Sequence, residues 1–182
     1  MNYYIDIRVL PDPEFGPTTL MNAVYAKLHR ALVAVTRNDV GISFPEAGKT
    51  PGSLLRLHSG KEGLAQLMEQ NWLKGLRDYT EVSDLNPVPA QTAGYVRVNR
   101  VQPKDSAARL RRAVKRKSLT EGDAENLLAN RALLNRPYFR LQSQSTGQHF
   151  PLFIEQGTPR NESVDGTFNA YGLSQQGTVP WF

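Results

Sequence analysis

The apolar residues of the first eighty-odd positions change their spacing in a fixed alternation, and that alternation limits the folds open to the chain more than any other feature. Ile5, Ile7 and Val9 recur at every second place with Asp6 and Arg8 between them, the pattern of a strand buried on one face. Past the breaks at Pro11 and Pro13, Met21, Val24, Leu28, Leu32 and Val35 recur at three and four, which predicts a helix with Thr18 or Thr19 as its cap. Strand-like runs return at 40–44 and 54–58, on either side of PEAGKTPGS. A second helix is expected at 61–76 with Leu64, Leu67, Met68 and Leu76 inward, and a short fourth strand at 79–83. Strand, helix, strand, strand, helix, strand is the ferredoxin-like order.

Pro87 and Pro89 in LNPVPAQTAG close that run, since prolines two places apart discourage helix and ladder alike. The chain is expected to divide there into a ferredoxin-like domain of residues 1–86, a linker of 87–94 and a second domain of 95–182. The second half reads as an extended stretch at 95–102, a basic helix at 106–117 and a further helix at 120–134. Strands at 138–145 and 149–155 then fold as a hairpin around Thr146-Gly147. A strand-like segment at 168–173 precedes Pro180-Trp181-Phe182, read as a docked anchor. The fold class expected is α+β.

Several functional classes drop out. The start MNYYIDIRVLPDPEF carries Asp6 and Arg8 where a signal peptide needs an unbroken apolar run, and no apolar stretch approaches ~18 residues. A soluble, cytoplasmic protein with no membrane partner is expected. Absence of cysteine excludes disulfides, thiolate metal sites and a cysteine nucleophile. His29, His58 and His149 are too scattered for a zinc site, and there is neither an acidic cluster nor a GxxxxGK[ST] loop. No metal and no cofactor are therefore expected.

Charge is concentrated in one place. Between positions 97 and 117 stand nine basic residues and one acid, a net +8, which leaves −3 for the rest of a chain whose total is +5. On a helical wheel Ala107, Leu110, Ala113 and Val114 share one side, while Arg109, Arg111, Arg112, Lys115 and Arg116 share the other. Five cations on one face repel each other, and the acidic partners four places away that would make them an ordinary solvated surface are absent. A phosphate backbone offsets that repulsion through counterion release, so the element points to a nucleic acid. Arginine also fits the edge of guanine, and Gln102 fits that of adenine.

Catalysis, if present, points to histidine. His29 lies one turn after Tyr25, at the edge of the first helix's apolar stripe. Taken alone, a histidine so placed is more often structural, as His58 and His149 are read to be. The run from Arg140 to Phe150, with Ser143, Ser145 and Thr146, is a hairpin tip whose small donors suit phosphate or ribose, and which would by itself be read as a turn.

Together these motifs resemble a known family. SQSTGQHF at 143–150, the start YYIDIRVLPDPEF, AKLHRALVA around His29, NRVQ followed by RLRR, and the ending YGLS with VPWF are similar, in order and along the whole chain, to the subtype I-F CRISPR-RNA processing endoribonucleases. The resemblance implies a metal-independent enzyme. It would cut the repeat hairpin of a precursor CRISPR transcript by attack of the RNA's own 2'-hydroxyl, leave a 2',3'-cyclic phosphate and a 5'-hydroxyl, and stay bound to the mature guide RNA beside the other subunits of a surveillance complex. His29 then matches the catalytic histidine, Ser143 the serine that positions the ribose, and Tyr171 the tyrosine near the histidine. Phe150 matches the aromatic that stacks on the closing base pair, Arg100 and Gln102 the readers of bases near the cut. The cations of 109–117, Lys117 included, match the arginine-rich helix, with Arg112 and Arg116 foremost. Ser145 and Thr146, read from the residues alone, suit phosphate contacts and a plain turn equally. Where the family pattern has arginine this chain has Ala113 and Lys117, so one fork donor is lost and another becomes a point charge. Two other readings remain from residues alone. One is a hairpin-binding subunit without catalysis; the other is a ferredoxin-like regulatory domain with an incidental basic patch.

Overall fold

The computed structural model describes residues 1–102, 107–129, 135–143 and 146–182. Two compact units emerge, one made of residues 1–100 and 136–182, the other of 101–135.

The larger unit begins with the expected alternation: β1 (Tyr3–Val9), α1 (Pro17–Val35), β2 (Gly41–Ser43), β3 (Leu54–Ser59), α2 (Lys61–Glu69) and β4 (Thr80–Val82). The sheet order is β2-β3-β1-β4, with antiparallel neighbours throughout. This is the ferredoxin-like arrangement within an α+β fold. Ile5, Ile7 and Val9 of β1 and Leu55 and Leu57 of β3 are buried with Val24, Leu28 and Leu32 of α1 and Leu64 and Leu67 of α2. Burial of that apolar face, more than helix propensity, holds both helices on the sheet.

Three local expectations are corrected. Neither Thr18 nor Thr19 caps α1; Gly16 does, without a side-chain bond, and Pro17 opens the helix, where its fixed φ suits the first turn and its missing N–H costs nothing. The helix expected at 61–76 ends at Glu69, because Asn71 turns left-handed at φ 49°. Trp72, Leu73 and Leu76 nonetheless reach the core through the turns that follow. Asn86–Pro87, β5, does join a ladder, pairing with the start of β1 while Val88 N–H donates to the Asn2 carbonyl. A proline at the end of an edge strand has no inward N–H to lose.

The same unit continues with β6 (Gly94–Val96), β7 (Val98–Val101, its last residue already counted with the smaller unit), β8 (Tyr138–Gln142), β9 (His149–Gln156) and β10 (Val179–Trp181). β7, β9 and β8 form one sheet, β10 and β6 a two-stranded ladder. Gln156 ties this part to the first: its Oε1 accepts from Phe44 N–H at 2.9 Å and its Nε2 donates to the Phe44 carbonyl at 3.1 Å.

Every residue of β3 is buried, because the sheet face away from the helices is covered by the last residues. Arg56 grips the Asp6 carboxylate through Nε and Nη2 at 2.7 and 2.9 Å and donates from Nη1 to the Phe182 carbonyl at 2.7 Å. Its guanidinium carbon lies 4.0 Å from the Phe182 ring centre and 4.9 Å from that of Tyr4. The anchor expected at the C-terminus is thus docked, with Trp181 in a strand and Phe182 on Arg56.

His58 lies beneath that cover, fully buried, with Nε2 2.8 Å from Ser43 Oγ and Nδ1 without a partner among the described residues. An imidazolium needs two acceptors and finds one. Burial above all, with the charges of Arg56 and the Met1 amino group adding to it, pushes the His58 pKa down to about 3. Unfolded, the same ring takes up a proton near 6.5, so between those values the unfolded chain binds the extra proton and stability falls as pH drops. This one group is expected to contribute about 1.4 kcal/mol of stability loss per pH unit below roughly 6. Urea melts at pH 7, 6 and 5 will show that slope in wild type, and His58→Gln will lose it.

The smaller unit contains α3 (Ala107–Lys115) and α4 (Glu121–Ala129). Leu110 is buried and Ala113 and Val114 half-buried, while Arg109, Arg111, Arg112, Lys115, Arg116 and Lys117 are all exposed. Ser118 N–H closes on the Ala113 carbonyl and Lys117 N–H on that of Val114, with Lys117 left-handed at φ 56°, a Schellman ending without its usual glycine. Thr120 then caps α4, accepting from Asp123 N–H at 3.1 Å and donating to its carboxylate at 2.6 Å. Of the helices expected at 106–117 and 120–134, Ser106 and residues 130–134 lie outside the described residues.

Candidate active site

α1 places Tyr25 and His29 one above the other, four residues and one turn apart. Tyr25 is fully buried; its ring stacks on Phe139 of β8 with centres 3.9 Å apart, and its hydroxyl donates to the Tyr171 carbonyl at 2.9 Å. His29, half-buried at the rim of the same stripe, reaches the neighbouring carbonyl, Ala170, with Nδ1 at 2.8 Å. A carbonyl only accepts, so Nδ1 carries a proton and in the neutral ring Nε2 keeps the lone pair. The Tyr171 ring lies flat on the imidazole, centres 3.9 Å apart and planes 6° from parallel.

These carbonyls are presented by a turn, not by the strand expected at 168–173. Asn169 Oδ1 accepts from the N–H groups of Tyr171 and Leu173, Gly172 N–H bonds the Asn169 carbonyl, and Gly172 is left-handed at φ 70°. The Gly172 carbonyl in turn accepts from Ile42 N–H, and a Cβ at Gly172 would stand 2.6 Å from Ile42 Cγ2. The turn is pressed onto the core from one side and held by α1 from the other.

Facing it is the end of β8. Ser143 N–H donates to the Gln148 carbonyl at 2.9 Å, the Ser143 carbonyl accepts from Gly147 at 2.8 Å, and Ser143 Oγ accepts from Thr146 N–H at 3.3 Å. With Gly147 at φ 68° these bonds close the hairpin around Thr146-Gly147 as expected. Ser145 lies outside the described residues. A cleft of about 490 Å³ opens between the two elements, lined by Ala26, His29, Arg30, Leu141, Gln142, Ser143, Phe150 and Tyr171.

Four residues singled out from the sequence, His29, Ser143, Tyr171 and Phe150, therefore line one cleft. Arg100 is half-buried close by, its guanidinium 5.9 Å from the Phe150 ring centre and its Nε without a partner among the described residues. Thr146 and Gln102 are exposed, and His149 is exposed opposite Gln142 on the outer face of the hairpin. Arg30 and Gln142 also line the cleft and were not foreseen; adjacency to His29 and Ser143 was the only signal for them. Among the described residues no group of three or more His, Asp or Glu side chains is placed to hold a metal ion, and no helix is long and apolar enough to cross a membrane.

Comparison with known proteins bears on this arrangement. Residues 4–182 match the model of a CRISPR-associated protein family, Csy4. The chain belongs to that family. Along their full lengths it is 45% identical to a CRISPR-associated endonuclease Cas6/Csy4 of Escherichia coli (strain UTI89 / UPEC). It is 42% identical, again over the whole of both chains, to the protein of the same description from Pseudomonas aeruginosa (strain UCBPP-PA14). The resemblance carried by SQSTGQHF and the other motifs is thus a true kinship.

In this Csy4-family chain Gly172 and Gly147 provide a matched pair for testing the turn. Both are left-handed, but no described residue stands within 4 Å of a Cβ at Gly147. Gly147→Ala is expected to cost about 1 kcal/mol, the left-handed penalty alone. Gly172→Ala adds the clash with Ile42 and is expected to cost roughly 2–3 kcal/mol more by denaturant titration.

Proposed function

We propose that this chain is a metal-independent endoribonuclease that binds the CRISPR repeat stem-loop and cleaves precursor CRISPR RNA by attack of the 2'-hydroxyl on the adjacent phosphate. The products are a 2',3'-cyclic phosphate and a 5'-hydroxyl, and the enzyme stays on the mature guide RNA. The observation that carries this reading is His29 held at Nδ1 and stacked by Tyr171, with Nε2 left for the cleft that Ser143 lines. The endonuclease names of the two relatives support it.

In this mechanism His29 Nε2 takes the proton of the 2'-hydroxyl, a transfer for which histidine is the side chain best suited near neutral pH. Ser143 holds the ribose so that the 2'-oxygen stands in line with the departing 5'-oxygen, and Tyr171 keeps the imidazole in plane. Both contribute by orientation. Phe150 stacks on the base pair that closes the stem, Arg100 and Gln102 read bases near the cut, and Ser145 and Thr146 touch phosphates. Arg109, Arg111, Arg112, Lys115, Arg116 and Lys117 hold the hairpin's major groove, which a short stem opens at its end. Residues 1–86 then supply the histidine and 95–182 the RNA-binding parts, joined through 87–94. The reading places the protein in the cytoplasm beside the other subunits of a type I-F surveillance complex.

Purified protein and a labelled repeat hairpin in EDTA test the proposal. Wild type is expected to cut about once per molecule and keep the product. His29→Ala should not cut yet should retain RNA within about threefold of wild type, as expected when the substitution leaves the phosphate contacts in place. Strong cutting by His29→Ala would overturn the assignment; retention without cutting by either protein would leave a hairpin-binding subunit without catalysis.

Binding must also weaken with salt. Arg112→Ala and Arg116→Ala are each expected to flatten the plot of log affinity against log salt by about one unit. That change is the one expected if each touches one phosphate, and an unchanged slope would place those side chains off the phosphate backbone.

A further inference from the structure

Arg30 has no part in the reaction as set out, although it lines the same cleft as His29 and Ser143. Elsewhere in the larger unit Arg8, Arg37, Arg56 and Arg136 are each closed by a carboxylate, from Glu46, Asp39, Asp6 and Glu155. Arg30 is exposed, and its guanidinium makes no hydrogen bond or ion pair with any described residue. Among the described residues no aspartate or glutamate lines the cleft, and none offsets the positive charge there.

Its place follows from the packing of α1 on β8. Asn22 Oδ1 accepts from Arg140 N–H at 3.1 Å, which pins the start of the contact. From Asn22 to Arg30 is about 12 Å along a helix, and from Arg140 to Ser143 about 10 Å along a strand, so Arg30 and Ser143 arrive at the same level. Asn22, Ala26, His29 and Arg30 fall within roughly 100° of arc on α1. The small Ala26 leaves the space between them open.

We propose that the Arg30 guanidinium binds the non-bridging oxygens of the scissile phosphate and neutralises the charge that builds on them during attack, an inference that rests on the endoribonuclease reading above. As the bond from the 2'-oxygen to phosphorus forms, the bond from phosphorus to the 5'-oxygen breaks. The 2'-proton goes to His29 Nε2 and the departing 5'-oxygen takes a proton from water; Arg30 keeps its own. The phosphate carries one negative charge before attack and more at the five-coordinate stage, so the contact strengthens as the reaction proceeds. A planar fork matches two such oxygens better than an ammonium does.

The test compares wild type, Arg30→Gln and Arg30→Lys in single-turnover cleavage, alongside affinity for a hairpin carrying a 2'-deoxyribose at the cut, which binds but cannot react. Arg30→Gln is expected to lower the cleavage rate constant about 30-fold while affinity stays within about twofold, the signature of a contact made chiefly in the transition state. Arg30→Lys should recover part of the rate. Hairpins with the Rp or Sp phosphorothioate at the cut add a readout that a structural role would not move: the ratio of their rates in wild type should shrink toward one in Arg30→Gln. A rate within about twofold of wild type, a loss of affinity equal to the loss of rate, or an unchanged Rp/Sp ratio would each overturn the inference while leaving the proposed function standing. A wild-type protein that does not cut would instead remove the proposed function and this inference with it.

Discussion

The hydroxyl of Tyr25 donating to the carbonyl of Tyr171 is the interaction on which the cleft depends. It joins positions 146 residues apart, and its donor lies fully buried in the core. Burial, reinforced by the nearby Tyr171, pushes the Tyr25 pKa well above its ordinary value, which favours the protonated, donating hydroxyl. With the Tyr171 carbonyl fixed, the Ala170 carbonyl beside it is offered to His29, and the Tyr171 ring falls onto the imidazole. Orientation of the histidine is thus set by packing and by the backbone of a turn. Among the described residues no acidic side chain is bonded to the ring.

A turn can serve in this way only if it is rigid. Asn169 and Gly172 provide local closure, the first by accepting two backbone N–H groups with one side chain, the second by adopting a left-handed φ in a place where a Cβ would meet Ile42. The chain that follows is anchored as firmly, through β10 on β6 and through Phe182 on Arg56. The covered rear face of the sheet, with Arg56 and His58 in it, therefore also steadies the 169–173 turn. Its cost is a histidine kept neutral, which links the protein's stability to acid.

Much of this was legible in the sequence. Period-two and period-3.6 spacing in the first eighty-odd residues were enough for the ferredoxin-like order, because each element buries one face and the spacing is the record of that face. Segment 168–173 was misread for the same reason: Phe168, Tyr171 and Leu173 resemble a strand's apolar positions, while the features that decide the turn are the side-chain bonds of Asn169 and the φ of Gly172. α1's start was misread because a hydroxyl cap and a first-turn proline are alternative solutions to one problem, and Gly16-Pro17 uses the second. Arg30 carried no pattern at all. Its meaning comes from β8, more than a hundred residues away, and sequence spacing does not report such distances.

The two departures from the family's arginine pattern acquire different weights in the structure. Ala113 is half-buried on the side of α3 that also carries the buried Leu110, and its carbonyl accepts the closing bond from Ser118. A guanidinium there would begin on the docked side of the helix, so its absence leaves the exposed row of Arg109, Arg112 and Arg116 unbroken. Lys117 stands past the end of α3 in a left-handed conformation, where its side chain leaves the helical wheel altogether. A long, flexible stem bearing a point charge serves from such a position about as well as a planar fork, whose advantage requires fixed geometry. What the chain gives up at these two places is directional bonding at the margins of the basic face, while the exposed positive charge at its centre is retained.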